Sequence, residues 1–273
     1  MSIRPAHAPP LRRPPMRAAA WLLAFAAASA GAAPAAAGAG ATAALRVGGF
    51  VVAPLVMGDP AHPEAPLTGA LRDYMEQELV RGAGLQLQWA EPTSYGRALE
   101  NLRNGKIDIL LMTSSKLEER PGVLTFGWSY LRSQPHLAVL KGSPLQSVQS
   151  LQQLAGMEIG WVDGSPLVEG MEQIPIRWQR LAAADWQLMN LRKLQAGRIQ
   201  AVFYENEYSP RWFARKERIE IQLLPLPMPG RVFTMAYSQK ADAAAIARFD
   251  KAGAAAFAGE QFRQYLDLYM KTK

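Results

Sequence analysis

Two stretches of this chain, 92 residues apart, carry one pattern: Leu99, Leu102, Gly105, Lys106, Ile107, Asp108, and then Leu191, Leu194, Gly197, Arg198, Ile199, Gln200. Each predicts a helix, a glycine stop and a strand. Leucines at i and i+3 form the buried edge of a helix, glycine takes the left-handed conformation just past its end, and the Ile-led run that follows reads as a buried strand. Beyond each strand the chain turns polar, at Thr113, Ser114 and Ser115 in the first copy and at Glu205 and Asn206 in the second. Open α/β sheets hold ligands outside the carboxyl ends of their strands, so both polar tips are candidates for one site.

Residues 45–49 and 157–161 supply a second pairing, each reading as a first strand that leads into a loop. The expected fold class is therefore α/β in two related lobes, each a βα sheet, with a ligand cleft between them. At 273 residues the chain is long enough for both. Helices are expected over about 70–81 and 95–103, with strands over 85–89 and 107–112. Lobe two opens on a strand over 137–140, followed by helical 148–154. Pro225, Pro227, Pro229 and Gly230 mark an extended segment. A strand over 233–237 and helices over 241–257 and 260–270 complete the chain. Crossings between lobes are expected near 132–135 and 229–233. This divides the protein into 45–132 (lobe one), 136–229 (lobe two) and 233–273 (return to lobe one).

The formal charge of +7 invites a nucleic-acid reading, but its location removes that reading. Residues 1–33 hold Arg4, Arg12, Arg13 and Arg17 and no carboxylate, so of 30 basic and 23 acidic residues the rest of the chain keeps 26 and 23, an ordinary surface. Those arginines precede an apolar run over 18–30 and then small residues, the layout of a secretory signal peptide. Cleavage is expected near the small-x-small sites at 28–30 or 30–32. The alternative, a membrane anchor, needs an apolar run of ~20 residues, and this one is shorter. Residues 34–44 form an Ala/Gly-rich linker, and Met16 is an alternative start.

Gly105-Lys106-Ile107-Asp108, followed twelve residues after the Asp by Arg120 and then by Phe126-Gly127-Trp128-Ser129-Tyr130, resembles the family 3 extracellular solute-binding proteins of polar amino-acid ABC transporters. The resemblance runs from about Leu45 to the end of the chain. It implies the two-lobed periplasmic-binding-protein fold with a two-strand hinge, a periplasmic location, a monomer, a small-molecule ligand and an inner-membrane ABC permease as partner. Carried over by position, it implies that Arg120 grips a ligand carboxylate. Thr113 and Ser115 would contact the ligand through hydroxyl and backbone groups, Tyr95 would cover it from lobe one, Gly164-Ser165 would cap the carboxylate and Glu205 would pair with an α-ammonium. A guanidinium fork matches a carboxylate bidentately. The chain departs from the family pattern at Leu117, at Pro166 and at Phe50-Val51-Val52, so the carboxylate grip is better preserved than the side-chain pocket.

Each candidate also has a structural reading. Arg120 could pair with Glu118 or Glu119, Glu205 could be a solvated loop acid, Tyr95 a helix start and Ser165 a helix cap. Trp128, Tyr130, Trp161 and Phe203 read first as core or hinge packing, and Asp108 as structural. With no cysteine, and with His62 and His136 lacking ligand spacing, no metal site is expected. No GxSxG, HExxH, P-loop or Rossmann fingerprint occurs, so neither a catalytic residue nor a cofactor is expected. The function expected is capture of a small carboxylate-bearing solute for an ABC-type importer. A dehydratase-like enzyme, or an accessory or sensory binding protein without transport, is the alternative.

Overall fold

The structure, a computed structural model, describes residues 43–113, 121–165, 167 and 170–272. Its first sheet is built around β3 (Ile109–Thr113), all five residues of which are buried. β1 (Ala43–Gly48) runs parallel to β3, and β2 (Leu85–Trp89) runs parallel to β1 beyond it. β11 (Arg231–Ser238) lies antiparallel on the other side of β3 and pairs in turn with β4 (Val123–Thr125) and β5 (Leu131–Ser133). A strand covered on both faces has no polar side to show, which is why β3 reads Ile-Leu-Leu-Met-Thr without alternation.

The second sheet repeats this plan. β7 (Glu158–Val162) lies parallel to β8 (Arg177–Leu181) and to β9 (Ala201–Tyr204), and β6 (His136–Leu140) closes antiparallel on β9 and on β10 (Ile221–Pro225). Each lobe therefore holds three parallel strands flanked by one antiparallel strand. The chain passes from the first sheet to the second between β5 and β6 and returns between β10 and β11. These crossings are tied together: Gln134 Nε2 donates to the carbonyls of Leu226 and Met228, at 2.7 and 2.9 Å, and the Gln134 carbonyl is met by His136 Nδ1 at 2.7 Å.

The repeat seen in the sequence has one local cause in both lobes. α2 (Tyr95–Arg103) and α3 (Trp186–Gln195) bury Leu99 and Leu102, and Leu191 and Leu194, respectively. Both end in the same paired bonds. Gly105 N donates to Leu102 O and Lys106 N to Asn101 O, while Gly197 N donates to Leu194 O and Arg198 N to Lys193 O. This is a Schellman stop, and it requires the positive φ that Gly105 (70°) and Gly197 (67°) adopt. The residue five places before each polar tip then clamps its neighbour. Asp108 accepts from Arg46 N at 2.8 Å, and Gln200 Oε1 accepts from Glu158 N at 2.9 Å. Asp108 also takes the Arg46 guanidinium, at 3.0 and 2.7 Å, so its role is structural.

The Phe126-to-Tyr130 turn packs under α5 (Ala243–Ala256) and α6 (Gln261–Thr272), where Trp128 stacks on Phe257 and donates to Asp250 at 2.8 Å. Gly253 has no alternative there, because a Cβ would sit 2.3 Å from the Trp128 ring. Three expected elements differ in detail. The helix from Ala70 is α-helical only over α1 (Ala70–Tyr74) and continues as a π turn, Met75–Leu79. β3 starts at Ile109 because the Arg46 N–H, which would extend the ladder towards Ile107, goes to the Asp108 carboxylate instead of a backbone carbonyl. The 148–154 stretch holds only the 3-10 turn Leu151–Leu154, because a capping box at Ser150 and Gln153 starts the helix late. α4 (Tyr208–Glu217) follows β9.

Gly197→Ala is expected to cost about 1–2 kcal/mol, the penalty of a left-handed alanine. Gly105→Ala should cost more, because its Cβ would lie 3.1 Å from the Lys240 side chain while nothing crowds Gly197. Urea unfolding of the two variants checks both the loss and its order.

Candidate functional site

The carboxyl ends of β1 and β3 in one lobe and of β7 and β9 in the other open onto one narrow cleft. Lobe one supplies Phe50 and Val52 after β1, Tyr95 at the start of α2, and Met112 and Thr113 at the tip of β3. Lobe two supplies Trp161 and Val162 at the end of β7, Ser165 in the loop after it, Trp186 and Gln187 at the start of α3, and Glu205 and Asn206 after β9. Phe233 of β11 forms part of the wall. The lobes come close across this cleft: a Cβ on Gly164 would stand 3.8 Å from Tyr95 Cδ1 and 3.9 Å from Gly96 Cα.

Four of the six residues singled out from the sequence, Tyr95, Thr113, Ser165 and Glu205, line this one cavity. Arg120 and Ser115 lie outside the described residues. Tyr95 is buried and meets Phe50 edge-on at 5.1 Å, which fixes its ring at the wall. Asn206 borders the cleft, but its Oδ1 accepts from the backbone N–H groups of Tyr208 and Ser209 and so caps α4. Trp128 and Tyr130 pack among the core aromatics, and Phe203 is buried behind the wall. Trp161 does two jobs, packing on Phe203 at 4.6 Å and lining the cleft.

Glu205 is engaged from the opposite lobe. Arg231, the first residue of β11, donates to its Oε1 through Nε at 3.0 Å, and its Nη2 stands 2.9 Å from the same oxygen as an ion pair. Both side chains are largely buried, at 19% and 16% exposure. Burial raises the Glu205 carboxyl above the ordinary carboxylate range, and Arg231 opposes that shift without cancelling it. The charge has a further consequence, since together with burial it pushes the phenol of Tyr130 well above its usual value.

The residues that sequence reasoning missed are Trp186 and Gln187. The 92-residue offset that carries Thr113 onto Glu205 also carries Tyr95 onto Gln187, so the repeat held the signal. Among the described residues, no group of three or more His, Asp or Glu side chains could hold a metal ion, and no helix is long and apolar enough to cross a membrane.

No family model matches the chain, and no curated protein does. Solved structures match over most of its length. A substrate-binding protein of an amino-acid ABC transporter superposes with a TM-score of 0.66 at 14% identity, over 84% of this chain and all of that one. This chain has the two-lobed periplasmic-binding-protein fold. An ancestral arginine-binding protein bound to arginine matches at TM-score 0.67 and 16% identity, over 84% of this chain and 99% of that one. The GluR0 ligand-binding core in complex with L-glutamate matches at TM-score 0.67 and 13% identity, over 85% of this chain and 100% of that one. All three are binding proteins or binding domains, and the fold is the one expected from the repeat.

The raised Glu205 carboxyl sets a pH dependence. The folded chain holds this proton at pH values where the unfolded chain has lost it, so the group's contribution to stability falls as pH rises from the ordinary carboxylate value through the raised one. Glu205→Gln mimics the protonated acid. Its unfolding temperature is expected to lack the decline that the parent shows as pH rises above the ordinary carboxylate value. Thermal unfolding across that range checks it.

Proposed function

We propose that this chain is an exported binding protein that captures a small carboxylate-bearing solute, an amino acid or a relative of one, and presents it to an ABC-type importer. One observation carries the reading: the cleft draws its walls from both lobes, at the strand ends where the repeat sets its polar tips. In this reading residues 1–33 are removed on export. Residues 45–132 with 233–273 form one jaw, and 136–229 form the other. The protein works in the periplasm as a monomer with a permease as its partner.

Arg120 grips the ligand carboxylate, and Thr113, Ser115 and Ser165 contribute hydrogen bonds around it. Tyr95 covers the ligand from above. Glu205 remains the acid of the site and serves a ligand ammonium as well as Arg231. A solute touching both jaws favours the closed arrangement by its differential affinity for it. The names of the structural neighbours, an amino-acid transporter's binding protein and an arginine-binding protein, support an amino-acid-like ligand. The pairing of Glu205 with Arg231 weighs against a dehydratase-like enzyme, because the evident general base of the cleft is already held.

Titration calorimetry of the purified protein against a panel of amino acids and related carboxylates tests the reading. At least one is expected to bind without being consumed. Arg120→Ala should weaken it by about one to two orders of magnitude, the worth of a charge-assisted pair. Full affinity in that variant would remove Arg120 from the site.

A further inference from the structure

Several buried polar atoms at the cleft have no partner within the protein. Among the described residues, Trp161 Nε1, Trp186 Nε1 and Gln187 Oε1 are buried without a hydrogen bond, and all three residues line the cavity. Their side chains are more than nine-tenths buried. Protein interiors pair the large majority of such atoms, so three around one cavity call for a partner from outside the chain. Their positions are fixed by packing. Trp161 meets Trp186 edge-on at 5.2 Å, Trp186 stacks on Tyr204 at 6.2 Å, and the Tyr204 hydroxyl donates to the backbone carbonyl of Gln187 at 3.2 Å.

We propose that these three side chains form a subsite for an uncharged carboxamide on the captured solute. The inference rests on the solute-binding reading above and supplies the chemistry of the ligand's second end. An indole N–H only donates, and an amide oxygen only accepts. A carboxylate would satisfy the two indoles but set its charge against the Gln187 oxygen. An ammonium would satisfy that oxygen but face two donors. A carboxamide does both: its oxygen takes the indole N–H groups, and its own N–H goes to Gln187. Its planar face suits a wall that includes Phe50 and Phe233. A site that hydrogen-bonds a substrate group discriminates against analogues lacking it, because its own buried atoms are left unpaired.

The test uses the purified protein and matched pairs: L-glutamine and L-glutamate, L-asparagine and L-aspartate, succinamate and succinate. Calorimetry is expected to find an amide that binds at least tenfold more tightly than its acid. Trp186→Phe, which keeps the aromatic wall and removes the N–H, should weaken that amide roughly fivefold. The indole ¹H–¹⁵N signals missing from Trp161→Phe and Trp186→Phe identify the two groups, and both should shift when the amide is added to the parent protein. Acids binding as tightly as amides, other carboxylates binding while no amide does, or unmoved indole signals in the amide complex would each overturn the subsite and leave the solute-binding reading standing. If a variant fails to fold, the amide-to-acid ratio of the parent protein still decides. No binding by any carboxylate overturns both readings.

Discussion

Two chain crossings between two sheets are the constraint from which the site follows. With only β5-to-β6 and β10-to-β11 joining the lobes, the parallel strands of each sheet can point their carboxyl ends into a shared space. The crossings must also be firm enough to set how the lobes meet. Gln134 supplies part of that firmness by holding the carbonyls of Leu226 and Met228 from the opposite crossing strand. Arg231 supplies another part, standing at the start of β11 and gripping Glu205 at the tip of β9. The ion pair therefore sits where the two lobes join and where the cleft begins, and it links the hinge to the site electrostatically.

The cleft itself combines apolar walls with a few polar groups held in place by their neighbours. Tyr95 is fixed by Phe50 and Trp186 by Trp161 and Tyr204, while the Tyr204 hydroxyl holds the backbone carbonyl of Gln187. Side chains held this way need little reordering when a ligand arrives, so less of the interaction energy is lost to entropy. The close approach of Gly164 to Tyr95 and Gly96 narrows the space between the two walls at one edge, and a ligand bridging them would be shut away from water.

Much of the fold was legible because one local device is used twice. Leucines at i and i+3, a glycine stop and an Ile-led strand gave the same Schellman ending at Gly105 and Gly197. Asp108 and Gln200, at matching positions, clamp the neighbouring strand in the same way. The polar strand tips at Thr113 and Glu205 were legible for the same reason, and both reach the cleft. Trp186 and Gln187 were not singled out, because a tryptophan at a helix start reads as core until the opposite wall is known. The partner of Glu205 was hidden as well. Arg231 follows a proline-rich segment in the sequence, and only the antiparallel return of β11 brings it to the tip of β9. The late start of β3 and the short 3-10 turn after Ser150 are decided by single side-chain and backbone bonds that hydrophobic periodicity does not register.

Backbone hydrogen exchange with and without a binding carboxylate tests the central claim most directly. The account predicts added protection on both sides of the cleft at once, at Tyr95–Gly96 in lobe one and at Gly164–Ser165 and Trp186–Gln187 in lobe two. Protection confined to one lobe, or to surfaces away from these strand ends, would contradict a solute held between two jaws.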